Sequence, residues 1–314
     1  MATWWYTPEN TIKETISWLT DVISCRNAET RRQVRTYPRH EMSCEFYLKN
    51  HAQFSAAKHY AANTEPMEVD VPWWPLWYPV SNIDSEDTVV TVFDAEDYYT
   101  IGDKVIITTG ESYTEHVVSA VNVDSIEFTA PVGADYSEGA IVPVKTVTTM
   151  GFKFSRSEGS SIIVASATFA SRYIKSSSYA AYPEYESTGI HLIDQQSETN
   201  GSMEERIAKA SFVNDGDVGF VDVSDDEKYF RHYQSLQFMP MGHDDCRKIR
   251  RFLHWMKGRL NIFYIPTWID EVESPEYVLV RSDADRIEIN HTDWDSFTVN
   301  IPTVEINDTV PVVS

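Results

Sequence analysis

Few residues in this chain have the types and spacing that chemistry needs. His243-Asp244-Asp245-Cys246 places four metal-ligating residue types in succession. Four neighbours at a helix start point in different directions and cannot converge on one ion, so capping and solvation account for them. Asn214-Asp215-Gly216-Asp217, with Asp222 and Asp225-Asp226-Glu227 beyond, could recruit calcium through oxygen ligands. It lacks the D-x-[DN]-x-[DN]-G loop and reads as an acidic turn between strands. Cys25, Cys44 and Cys246 are odd in number and widely spaced, with no CxxC pair. That spacing disfavours a disulfide framework, a zinc knuckle and an iron–sulfur cluster alike. Nucleophile elbows, P-loops, GxGxxG fingerprints and HExxH helices do not occur. No catalytic, cofactor-binding or metal residue is therefore assigned, and the expectation is a protein that is not an enzyme.

Aromatic residues carry more information. Trp4, Trp5, Tyr6, Trp73, Trp74, Trp77 and Tyr78 are dense enough for a sugar-stacking surface, and Pro72, Pro75 and Pro79 stiffen the segment around them. The alternative is core or subunit interface, where Trp and Tyr serve as anchors. The sequence favours that alternative.

Composition bounds the rest. The 314 residues hold 26 Lys and Arg against 48 Asp and Glu, a formal net charge of −22. Such a charge repels phosphate and disfavours a general nucleic-acid binder. A chain that is 42% hydrophobic and 13% aromatic is too apolar to be disordered. No apolar run approaches the ~20 residues of a membrane span. Met1-Ala2-Thr3-Trp4-Trp5 lacks the basic-then-apolar layout of a signal peptide, so cytoplasmic synthesis is expected. The charge is segregated: residues 26–39 carry Arg26, Arg31, Arg32, Arg35 and Arg39 against Glu29 alone, and residues 247–259 carry six basic groups and no acid. Segregation of this kind suits docking against acidic surfaces, copies of the same chain included.

The elements that would position these residues are mostly strands. Thr88–Phe93, Lys104–Thr109, His116–Val123, Ser161–Ala165 and Tyr277–Arg281 are rich in Val, Ile, Thr and Tyr. Lys13–Cys25 fits a helical face through Ile12, Ile16, Leu19 and Ile23, and alternates equally well as a strand. The strand is favoured, with Arg26-Asn27-Ala28-Glu29 turning into Thr30–Thr36. A helix is expected over His243–Gly258, where Ile249, Phe252, Leu253 and Met256 share a face and Gly258 is placed to cap the end. A second, Ala-rich helix is expected over His51–Ala62. The two halves repeat one order: Ser43–Leu48, helix, then Val71–Trp77; and Ser235–Met239, helix, then Ile262–Trp268. Between them, Ser81–Lys145 holds short strands at close spacing and reads as an inserted β-barrel or sandwich.

Trp18-Leu19-Thr20-Asp21-Val22-Ile23-Ser24, followed by Ala28-Glu29-Thr30-Arg31-Arg32 and Arg35, resembles a signature of tailed-phage distal-tail and baseplate subunits: TDV, a short turn, then ExR. Its usual companion is an amphipathic helix ending here in Lys257-Gly258-Arg259, followed by the aromatic strand Ile262-Phe263-Tyr264-Ile265-Pro266. The resemblance touches about a third of the chain and departs where the family has Gly, with Asn27-Ala28 in the turn. It implies a tail-tube-like β-sandwich with a packed helix, and copies joined in a ring.

The sequence therefore leads to a β-rich α+β fold with two helices. Residues 1–80 and 146–314 are expected to form the ring domain, the latter carrying a second tube-like repeat, and 81–145 the inserted module. The expected role is a structural virion protein at the tip of a long phage tail, joining tube to hub or fibres. Its partners would be itself, the tube, the hub and other baseplate proteins, with DNA only in transit. A hexamer is favoured over a trimer. Arg31, Arg32, Arg35, Trp73, Trp74, Trp77, Arg250 and Arg259 are the subunit-interface candidates. A carbohydrate-binding tail module is the alternative, and a glycan-cleaving enzyme would need a carboxylate pair that spacing alone cannot locate.

Overall fold

A computed structural model describes residues 4, 6–9, 11–25, 28–63, 68–110, 112–156, 161–171, 183–184, 186, 188–193, 205–208, 211–215, 221–225, 231–238, 242–266, 277–292 and 296–306. In chain order the elements begin β1 (Ile12–Ser17), β2 (Thr20–Cys25), β3 (Ala28–Gln33), β4 (Arg39–Leu48), α1 (His51–Asn63), β5 (Glu68–Pro72), β6 (Tyr78–Ile83) and β7 (Val89–Thr91). There follow α2 (Ala95–Tyr98), β8 (Lys104–Thr108), β9 (Tyr113–Asn122), β10 (Ser125–Phe128), β11 (Tyr136–Ser155) and β12 (Ile163–Ser171). The remainder is β13 (Glu205–Ala208), β14 (Ser211–Asp215), β15 (Val221–Asp225), β16 (Arg231–Phe238), α3 (His243–Met256), β17 (Ile262–Pro266), β18 (Tyr277–Ser282), β19 (Arg286–His291) and β20 (Phe297–Glu305). The fold is mainly antiparallel β with three α-helices among the described residues. Both expected helices are present, and the third is the single turn α2. Lys13–Cys25 is strand, interrupted at Trp18-Leu19 where the Trp18 amide donates to the Asp285 carbonyl at 2.8 Å.

The chain divides into two compact units. Unit one comprises Met1–Thr15, Arg39–Ser177 and Ile289–Phe297. Its spine is β1-β4-β12-β11, and β11 goes on to pair with β5, β6 and β8. Alternation builds it: Met42, Cys44, Phe46 and Leu48 of β4 are buried while Glu41, Ser43, Glu45 and Tyr47 are half-exposed. Helix α1 starts on Asn50, whose Oδ1 accepts from the Gln53 amide at 2.9 Å, while Gln53 Oε1 accepts from the Lys49 amide. It packs through buried Ala57 and through Phe54, edge-on to Phe154 at 5.6 Å.

Residues 81–145 do not stand apart. The expected boundary at Lys145 falls inside β11, whose residues 144–148 pair with β5 and whose residues 140–144 pair with β8. Val105, Ile107 and Ile141 share one buried cluster with Phe46, Trp73 and Phe169. A strand that serves two neighbourhoods shows no composition break at the point where it passes between them.

Unit two comprises Ile16–Pro38, Ser178–Glu288 and Thr298–Ser314. Its strands β13-β16-β20 continue through β18 to β17, with β2–β3 and β14–β15 as two-stranded hairpins. Helix α3 carries Asp244 and Asp245 in its first turn, where the helix dipole favours acids. Ile249, Phe252, Leu253 and Met256 are all buried, and the Phe252 ring meets Phe263 edge-on at 5.1 Å. The left-handed residue that ends α3 is Lys257 (φ 51°) rather than Gly258. Gly258 follows at φ +67°, where a Cβ would collide with the Asp285 carboxylate and lie 3.0 Å from Trp18 Cβ.

Candidate functional site

Two features gather the polar chemistry, one in each unit. In unit one the outward-facing residues of β1, β4, β12 and β11 line an open groove of about 1020 Å³. Its lining includes Lys13, Ser43, Glu45, Lys153, Ser166 and Thr168. Ser43 Oγ lies 2.9 Å from Thr168 Oγ1, and Ser166 Oγ donates to Glu45 Oε1 at 3.1 Å. These hydroxyls and the carboxylate satisfy one another across strands, a wetted surface rather than a poised nucleophile and base. Below it, fully buried Glu14 sits 3.7 Å from His40 Nδ1 and 3.7 Å from Nε2 of His291, which also lines the groove. Sequence reasoning missed this trio because its members lie on three strands far apart in the chain. Asp70, on β5, accepts from Lys104 Nζ at 3.0 Å and from Thr146 Oγ1 at 2.8 Å. Burial alone would raise its pKa, but these two bonds hold the carboxyl below its usual range and push Lys104 up.

In unit two the β2–β3 hairpin is clamped by charge. The Arg281 guanidinium grips Glu29 with two bonds, Nε to Oε1 at 2.6 Å and Nη2 to Oε2 at 3.0 Å. Burial would lower the Arg281 pKa, and Glu29 and Asp283 outweigh it to raise the value. Arg31, buried, donates to the Leu260 carbonyl at 2.7 Å and lies 3.7 Å from Glu29; burial lowers its pKa. Asp285 ties the start of the hairpin to the end of the helix. Its Oδ2 accepts from the Thr20 amide at 2.9 Å and its Oδ1 from the Arg259 amide at 3.1 Å. Thr20 Oγ1 in turn donates to the Lys257 carbonyl.

The interface candidates separate accordingly. Trp73 and Trp74 are 0% and 1% exposed inside unit one, so they are core and cannot reach a partner or stack on a sugar. Arg250, 2% exposed, and Arg31 are likewise interior, since a guanidinium turned inward is spent within the subunit. Arg35 is half-buried and donates to the Ser17 carbonyl; Arg259 is half-buried, and Arg32 is exposed. Trp77 is half-buried and lines the groove. Glu205 and Arg206 lie in β13, which pairs with β16. The Arg26-Asn27 turn, Trp5, Gly216-Asp217, Asp226-Glu227 and Trp268 lie outside the described residues. Asp245 pairs with Lys248 at 3.9 Å, Cys246 is buried, and no group of three metal-ligating side chains occurs among the described residues. No protein-family model matches the chain, and no curated protein matches it.

Proposed function

We propose that this protein is a structural virion subunit of a long-tailed bacteriophage, forming a ring at the tail tip that joins the tube to the hub or fibres. One observation carries the reading. The residues that resemble the distal-tail signature lie at opposite ends of the chain, yet they assemble as one body in unit two. There Glu29 of the TDV-turn-ExR hairpin is held by Arg281, and Arg31 reaches the carbonyl that follows α3. The hairpin, amphipathic helix and aromatic strand are the parts of a tube-like domain, and here they share hydrogen bonds. The charged lining of the groove balances, Glu9 and Glu45 against Lys13 and Lys153, so it is not a basic surface that would bind passing phosphates. The sugar-binding alternative loses Trp73 and Trp74 as a platform.

The test is location. A tagged chain should co-purify with tailed particles and label their tips at the end of the tube. Particles that assemble fully and infect without the protein would contradict the reading.

A further inference from the structure

The pairing registers of the two units repeat. In unit one a row of residues runs across four strands: Glu41 opposite Ala170, Ala170 opposite Thr148, Thr148 opposite Glu68. In unit two the same kind of row runs Tyr233, Val304, Arg281 and Ile262. Each row crosses the strand before the helix first and the strand after the helix last. Between them lie the same two partners, with β18 and β19 standing for the two ends of the long β11. Aligning the rows sets Arg39, His40, Ser43 and Phe46 against Arg231, His232, Ser235 and Phe238, so R-H-x-x-S-x-x-F occurs twice. At the same offset His51 and His243 begin the two helices, and Pro72 and Pro266, each the fourth residue beyond Glu68 and Ile262 of the rows, end the strands that follow them. Ahead of each set stand one strand and one hairpin, β1 with β2–β3 and β13 with β14–β15. The shared order of elements, the repeated R-H-x-x-S-x-x-F and the prolines at matching strand ends point to one ancestral unit.

We propose that the chain is a tandem duplication and that its docking partner is a second copy of itself, joined head to tail. β1 is flanked by β4 on one edge and by β19 on the other, and Ile289–His291 of β19 belongs to unit one with it. Its counterpart β13 pairs with β16 and, among the described residues, with no strand on its other edge. The part of β11 that corresponds to β19, beyond Thr149, pairs with β12 and, among the described residues, with no strand on its other edge. The place beside β1 is thus filled by β19, and among the described residues the equivalent places beside β13 and the corresponding part of β11 are not. β13 of one chain fits beside β11 of the next as β1 fits beside β19, with backbone pairing as the contact. The hairpins follow the strands: β2–β3 docks on Arg281, so β14–β15 docks at the corresponding Thr148. Head-to-tail contacts close into rings or run on as filaments. Closure rests on the ring reading above; the head-to-tail contact does not.

The test is cross-linking between full-length chains in a Cys25→Ser background, where Cys44 and Cys246 are buried. One chain carries Met150→Cys, at an exposed position of β11, and a differently tagged chain carries Glu205→Cys on β13. A short bismaleimide should join the two tagged chains to each other, and join neither variant to itself. A closed ring with no mixed product, or with Glu205→Cys chains joined to one another, would overturn the head-to-tail inference and leave the ring reading intact. Chains that remain monomeric and unlinked at high concentration would overturn both.

Discussion

Single residues decide how the hairpin and the β5 strand are held. Arg281 and Glu29 are both largely buried and bonded to each other twice. Removing one partner strands the other charge, so Arg281→Met should cost about 3–5 kcal/mol in urea unfolding. The double variant Glu29→Gln, Arg281→Met should recover only part of that loss, because it removes the stranded Glu29 charge but also takes from buried Arg31 its carboxylate neighbour. Asp70 has a depressed pKa, so its contribution is present above the ordinary carboxylate value and is lost as pH falls through the depressed one. Asp70→Asn should therefore lower stability by about 1 kcal/mol at neutral pH, with half-exposed Lys104 limiting the effect. Thermal melts against pH should show wild type and variant converging below about pH 4.

At the scale of elements, α3 is a packing helix despite its basic residues. Phe252→Ala should destabilise the protein by about 3–5 kcal/mol, read by chemical denaturation, because the stripe it belongs to is fully covered. That stripe was legible in sequence because buried apolar residues repeat at helical spacing, and the alternation of β4 was legible for the same reason. Arg250 was misjudged because charge alone does not say which way a guanidinium turns; its burial at 2% depends on surroundings from elsewhere in the chain. The Glu29–Arg281 clamp was invisible because its partners are 252 residues apart. The 81–145 segment looked separable because its turns are closely spaced, and the continuity of β11 leaves no local signal. Deleting 81–145 behind a short Gly/Ser bridge should abolish soluble folded protein, checked by yield and circular dichroism, since it removes the half of β11 that pairs with β5 at Val144 and Lys145.

For the whole molecule, duplication changes the arithmetic of assembly. The sequence favoured six chains on the view that the motifs belong to one split domain. Two tube-like copies per chain let three chains present six copies, and heterologous contacts permit that closure. A net charge of −22 would keep the proposed ring from holding phosphates passing through it. Electron cryomicroscopy of the protein within assembled tail tips tests the ring reading most directly. The expected result is a closed ring of three chains, with the Ser43–Thr168 face of unit one on its lumen. A single copy at the tip, or polar faces turned outward from the axis, would contradict it.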